Sequence, residues 1–364
     1  MLAKRASPTR GVAIVLAALA CLSPGAGGAQ PAPANYPRSY GRLIQAGNRE
    51  GVLVIYAATD IMSAKDVLDA FRASYPAIRI EYADLGSSEV YQRFLREAAS
   101  GRTRADLLIN SAMDLQIKLV NDGYAQRYGS PEKPNLPPWA IWKDQAYAIA
   151  AEPIVIAYNR RLLSPAEAPR THDDLEALLK KNPQRYHGRI GVYDPGRSST
   201  GFLYMTQDVQ IDRDTWRVID AIGKTSPFLS ISTTEMINKI AKGELAIAYN
   251  VIGSYALDQE AKNPDFGVVL PGDYTLVASR IALIPKDAPH PAAAKLFLDF
   301  LLSQRGETLM ARRHMTPLRA DVRPVGQRVD PDKQRAIRVG PALLANLDQL
   351  KRGRFLKRWR RTVN

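Results

Sequence analysis

The sequence is poor in the residues that build redox, metal and nucleophilic sites. Its 364 residues include one cysteine and four histidines. A single cysteine excludes a disulfide framework and any multi-cysteine zinc or iron–sulfur centre. His172, His187, His290 and His314 are far apart, with no His-x-x-His or Glu-x-x-His pair. None accompanies a G-x-S-x-G nucleophile turn, so an enzyme is not expected. Long apolar runs are missing too. The one uncharged, strongly apolar stretch, Gly11 to Leu22, has 12 residues, against the roughly 20 needed to cross a bilayer. A multi-pass membrane protein is excluded.

Negative charge is also in short supply. Lysine and arginine number 50 against 36 aspartates and glutamates, a net charge of +14. The surplus sits at the ends. Residues 1–29 carry +3 from Lys4, Arg5 and Arg10, and residues 323–364 carry +9, leaving +2 on residues 30–322. A body this close to neutral lacks the basic face of a DNA-binding domain, and nucleic acid is not an expected partner. At the N-terminus the three cations precede the apolar run, and the small residues Gly25-Ala-Gly-Gly-Ala29 follow it. That order is a secretory signal, with Gly27-x-Ala29 as the cleavage site. Residues 1–29 are therefore expected to be removed on export to the periplasm. Ala18-Leu19-Ala20-Cys21 approaches a lipobox, but Leu19 is one position too close to Cys21, so lipid anchoring is the second choice. Cleavage after Ala29 leaves no cysteine, which suits an oxidising compartment.

What is present is α/β alternation. Gly51–Ala58 is a short, β-branched apolar run, Ile78–Tyr82 alternates, and Asp106–Ile109 is a third strand. Ser63 and Ser87 can open helices whose apolar residues recur at helical spacing, and Met113–Val120 is a third helix. Alternation at this pitch predicts parallel sheets covered on both faces. The pattern restarts with capping templates at Thr171-His-Asp-Asp174 and Ser232-Thr-Thr-Glu235. Arg189–Tyr193, Leu245–Tyr249 and Phe266–Leu270 read as strands. Two extended apolar runs, Ala146–Asn159 and Ser279–Pro285, are the candidate crossings between two units. The expected first lobe is discontinuous, residues 45–151 plus 275–322, and the second is 152–274. Residues 323–364 are expected to be a basic helical tail packed through Leu347, Leu350, Phe355 and Trp359.

The motifs taken in order resemble a known family. They are Asp69–Tyr82, Gly86-Ser87, Ala99-Ser-Gly101, Ala105-Asp-Leu-Leu-Ile109, Ile156-Ala-Tyr-Asn159, Ser279–Pro285 and the run from His290 to Gly306. Together they resemble the solute-binding proteins of ABC transporters, of the ferric-ion-binding and related type, over about residues 50–315. The resemblance implies a two-lobed Venus-flytrap with two parallel-rich sheets joined by two hinge strands. It also implies a ligand in the cleft, delivered to an inner-membrane permease. A monomer without a cofactor is expected. A reading from a different class is a periplasmic sensing subunit that presents its ligand to a membrane histidine kinase.

The strongest candidate site is Arg197-Ser198-Ser199-Thr200-Gly201, which follows a strand and opens a helix. Hydroxyls, unpaired backbone N–H groups and the positive helix end converge there, a ready site for phosphate, phosphonate or carboxylate. Gly201 is expected to let a ligand approach the backbone; Arg197 either pairs with the anion or is solvated. Thr59 and Asp60, Ser87 and Ser88, Ser111 and Asn250 follow other strands, at the carboxyl ends where open α/β sheets bind ligands. The iron-binding relatives hold metal with an adjacent tyrosine pair, and this chain has no Tyr-Tyr dipeptide. Ile252 and Gly253 fall where the pair belongs, leaving Tyr249 or Tyr255 as replacement ligands. A phosphorylated or carboxylated organic solute, captured by hinge closure, is the expected ligand, with iron as the alternative.

Overall fold

Strand and helix alternate as their residue patterns require in the computed structural model, which describes residues 33, 35–326 and 329–363. The expected signal peptide lies outside the described residues. The chain begins with α1 (Tyr40–Glu50), β1 (Val52–Ala57), α2 (Ile61–Ser74), β2 (Arg79–Asp84), α3 (Ser87–Ala99), β3 (Leu107–Asn110) and α4 (Met113–Asn121). A short β4 (Ile141–Trp142) leads into the long β5 (Ala146–Asn159). Next come α5 (His172–Lys181), β6 (Ile190–Tyr193), α6 (Ser199–Ile211), α7 (Thr215–Gly223) and β7 (Phe228–Ser230). They are followed by α8 (Thr233–Lys242), β8 (Ile247–Ile252), α9 (Gly253–Glu260) and β9 (Phe266–Val269). The chain returns on β10 (Thr275–Leu283) to α10 (Pro291–Leu302) and α11 (Gln304–Ala311), then ends with β11 (Gln334–Ala336) and α12 (Gln349–Val363).

The two lobes are parallel at their centres and antiparallel where they meet. Strand β1 pairs in parallel with β2 and β3, and β6 in parallel with β7 and β8. Every antiparallel pair of strands among the described residues involves a crossing strand, β5 or β10, apart from an isolated bridge between Ala125 and Pro285. All 14 residues of β5 are buried. Its first half pairs with β10 as far as Pro153, and from Ile154 it pairs with β8 and β9. A proline cannot donate to a ladder, so a central strand tolerates one where it changes partners. The crossing strands also bond each other, so the two sheets run into one, ordered β2-β1-β3-β10-β5-β8-β6-β7.

Burial on both faces explains the continuous apolar strands. Leu53, Ile55 and Ala57 of β1 pack with Phe71 of α2 and Phe297 of α10. Val54 and Tyr56, pointing the other way, pack with Val90 and Phe94 of α3 and Ile117 of α4. In the second lobe, Ile190, Val192 and Ile247 meet Leu175 of α5 and Ile219 of α7. Thr171 and Ser232 cap their helices as expected, accepting from the N–H groups of Asp174 at 3.0 Å and Glu235 at 3.3 Å. Helix α2 starts at Ile61 rather than Ser63. Helices α1, α7 and α9, which the sequence reading does not place, start without a capping side chain.

The tail departs from expectation in part. It contributes β11, parallel to β10, before its helix. Phe355 and Trp359 pack with core residues of the second lobe. Leu350 instead is 70% exposed, and the buried leucine is Leu343 rather than Leu347.

A buried carboxyl in the first lobe makes stability depend on pH. Asp299 of α10 accepts from the hydroxyls of Tyr40 at 2.9 Å, Tyr128 at 2.6 Å and Ser130 at 2.6 Å. Burial outweighs these donors and pushes its pKa up to about 7. With a folded pKa above the unfolded one, its contribution is complete below about pH 4 and fades as pH rises through 7. Denaturant unfolding of wild type and Asp299→Asn at several pH values checks this. The stability difference in favour of wild type should fall by roughly 1 kcal/mol per pH unit between pH 4 and 7. A constant difference would mean that the carboxyl is ionised throughout.

Candidate functional site

Six strands, β1, β2, β3, β6, β7 and β8, each run at their carboxyl ends into a helix: α2, α3, α4, α6, α8 and α9. The starts of these helices meet around a cavity of about 250 Å³ between the lobes. Asp60, Gly86, Ser87 and Ser111 line it from the first lobe, and Thr200, Thr233, Thr234 and Ile252 from the second. Each helix start leaves backbone N–H groups without intrahelical partners and carries a partial positive charge. Tyr193, Tyr255 and Asp84 also line the cavity. A larger hollow of about 620 Å³, bordered by Tyr36, Glu132 and Arg319, lies away from these strand ends.

The lobes touch across the cleft through serines. The Ser88 hydroxyl donates to the Arg197 carbonyl at 2.9 Å and shares a 2.8 Å hydrogen bond with the Ser199 hydroxyl. The first N–H groups of α6 donate in turn to Ser88 Oγ (from Ser199, 3.1 Å), Ser87 Oγ (from Thr200, 3.2 Å) and Ser198 Oγ (from Gly201, 3.1 Å). Hydroxyl oxygens thus stand where the oxygens of an oxyanion meet a helix N-terminus. Ser111, by contrast, is buried with its hydroxyl unpartnered. On the other wall, the Thr234 hydroxyl donates to the Asp60 carboxylate, and the Asp60 N–H to Tyr255 Oη at 3.2 Å. Burial raises the Asp84 carboxyl above its usual range against a hydrogen bond from the Ile61 N–H, and Asp60 adds to the rise.

Not every candidate residue faces the cavity. Thr59 is buried behind it, and its hydroxyl accepts from Arg280 Nη1 at 2.6 Å. Arg197 is exposed and meets the other lobe through its carbonyl. Ser198 is spent on capping α6. Gly201 serves packing rather than ligand approach, because a Cβ there would lie 2.3 Å from Tyr193 Cβ. Asn250 turns away: at φ +59° its Nδ2 donates to Asp208 Oδ2 at 2.5 Å. Asp208 also accepts from the Tyr249 hydroxyl at 3.1 Å, which removes Tyr249 from the cleft. His172 is buried, stacked on Tyr274 and bonded to Asp273 at 2.8 Å.

The residues hardest to see were Glu152 and Arg280, one on each crossing strand. Arg280 is 1% exposed; its Nε donates to Glu152 Oε1 at 2.8 Å. Its Nη1 also reaches Tyr255 Oη at 3.4 Å, while Nη2 has no partner. Glu152 Oε2 accepts from the Ser254 N–H at 3.4 Å, at the start of α9. One ion pair therefore ties both crossing strands to Thr59 on one side and to Ser254 and Tyr255 on the other. The available signal was a lone charge of each sign in two otherwise apolar runs. Thr233 and Thr234 were hidden inside a capping template.

Comparison with curated protein sequences finds no match. Among solved structures, the substrate-binding protein of an ABC transporter from Agrobacterium tumefaciens is 35% identical, over 86% of this chain and 94% of its own, at a TM-score of 0.82. AfuA from Actinobacillus pleuropneumoniae, solved with exogenous fructose-6-phosphate, is 19% identical over 86% of this chain and 98% of its own, at 0.71. Iron-bound HitA from Pseudomonas aeruginosa is 19% identical over 85% and 99%, at 0.68. The last two are likenesses of fold. The family model for bacterial extracellular solute-binding proteins matches residues 66–336. With three quarters of its length inside that model and its two lobes closed on a cleft at the strand ends, the chain belongs to the bacterial extracellular solute-binding proteins, as a substrate-binding protein of an ABC transporter.

Proposed function

We propose that this protein captures a small solute bearing an oxyanion, such as a phosphonate, a phosphorylated sugar or a carboxylate, and delivers it to an inner-membrane permease. The observation that carries the reading is the meeting of six helix N-termini around one cavity. Fixed partial positive charges of this kind favour an anion without any basic side chain on the wall. Ser87, Ser111 and Thr200 supply hydroxyls on the wall, Ser88 and Ser199 meet beside them, and the first N–H groups of α6 exchange their serine partners for anion oxygens. AfuA, which shares the fold, was solved with a sugar phosphate. Asp60 and Asp84 face the same cavity and suit the hydroxyl or amine end of the solute. Iron fits less well, because of the two replacement tyrosines Tyr249 is committed to Asp208 and the Tyr255 oxygen already accepts from the Asp60 N–H and from Arg280, a cation that disfavours a metal beside it.

A thermal-shift screen of phosphonates, sugar phosphates, dicarboxylates, thiamine phosphates and Fe(III) tests the reading. At about a hundred times its dissociation constant, a ligand of the folded state adds roughly 2.7 kcal/mol, and a phosphorus or carboxylate oxyanion is expected to be the one that does. A coloured Fe(III) complex that survives citrate would replace this reading with iron. Small-angle scattering of the mature protein with the hit should show a smaller radius of gyration than without it. An unchanged curve at confirmed saturation would mean a rigid, preformed pocket.

A further inference from the structure

We propose that α12 is a docking face for an anionic lipid surface, which holds this protein flat against the membrane that carries its permease. The helix contains Lys351, Arg352, Arg354, Lys357, Arg358, Arg360 and Arg361 within 15 residues and no acid. Its apolar side is already used. Phe355 stands edge-on to Phe202 with centroids 5.5 Å apart and tilts on Trp216 at 5.1 Å, and Trp359 is buried. Gly223 ends α7 without a side chain because a Cβ there would lie 2.1 Å from the Thr362 carbonyl oxygen. The two helices are therefore in close contact, and the Thr362 hydroxyl donates to Asp220 at 3.0 Å. Arg352 and Arg358 lie over the rings of Phe202 and Trp216, at 4.5 Å and 3.9 Å.

Pinned in this way, α12 turns its other side outward. Leu350, Lys351, Arg354, Lys357, Arg360 and Arg361 are all exposed. Among the described residues, none of these cations is in an ion pair. A row of unpaired cations from Lys351 to Arg361, about 15 Å long, matches a flat anionic surface. The exposed Leu350 beside Lys351 is an apolar contact that a headgroup layer accepts more readily than a nucleic-acid backbone does. The neutral body adds no competing attraction, so the charge selects one orientation. Because the aromatic residues stay in the lobe, the helix does not insert, and the contact is electrostatic and sensitive to salt. This inference rests on family membership and not on the identity of the solute.

Co-sedimentation of the mature protein with phosphatidylglycerol vesicles, against phosphatidylcholine vesicles, is the test. Binding to phosphatidylglycerol alone, weakening as salt is added, is expected. A variant carrying Lys351→Gln, Arg354→Gln, Lys357→Gln and Arg361→Gln should bind at least about a hundredfold more weakly, each cation near the surface being worth roughly fivefold. Circular dichroism checks its fold. If it does not fold, Lys357→Gln with Arg361→Gln alone should cost about tenfold or more. Failure to bind phosphatidylglycerol, equal binding to both vesicles, or a folded variant that binds like wild type would overturn the proposal. So would tighter binding to a DNA duplex or an acidic peptide than to phosphatidylglycerol.

Discussion

Replacing Arg280 with methionine is expected to destabilise the protein by about 3–5 kcal/mol. The substitution leaves the Glu152 carboxylate, itself 1% exposed, without its cation where both lobes meet. A charge stranded in that environment costs far more than the pair contributed while intact, because its hydration is lost and nothing replaces it. Thr59 Oγ1 and Tyr255 Oη lose a donor at the same time. Adding Glu152→Gln to the variant should recover much of the loss, since exchanging both members of a buried pair is often close to neutral. Urea unfolding of wild type, single and double variants reads both effects. If the single variant costs less than about 1 kcal/mol, the pair behaves as a solvated one and is not what joins the crossing strands.

Changing Ser199 and Thr200 together to alanine should weaken binding of the solute found by the thermal-shift screen by a hundredfold or more. Each hydrogen bond to a charged group is worth roughly 1.5–3 kcal/mol, and about 1.4 kcal/mol is a factor of ten. The helix start should survive, because its cap is Ser198, whose hydroxyl accepts from the Gly201 N–H. Gly201→Ala is the contrasting case: its Cβ meets Tyr193 at the base of the side chain, where neither the strand nor the helix can give way cheaply. That variant should lose stability, whereas the double alanine variant should lose affinity at unchanged stability. Calorimetry and urea unfolding on the same preparations separate the two. A change in affinity below about threefold for the double variant would reduce the turn to an ordinary helix start.

Local signals in the chain determined the α/β alternation, the buried central strands, the caps at Thr171 and Ser232 and the position of the turn before α6. All of these depend on periods of two or 3.6 residues and on side chains that bond the backbone three residues away. A position just after a strand also determined which rim of the sheet a residue occupies, as for Asp60, Ser87 and Ser111. It did not determine which way the side chain points. Tertiary structure decided that Asn250 bonds Asp208 and that Gly201 makes room for Tyr193. It placed the serines of α3 over the start of α6, although Ser88 and Ser199 are 111 residues apart. It paired Arg280 with Glu152 across a separation of 128 residues. It chose Leu343 over Leu347 for burial and left Leu350 in solvent. No short-range pattern encodes such pairs, because each is set by two strands crossing between lobes or by a helix docking on a distant face.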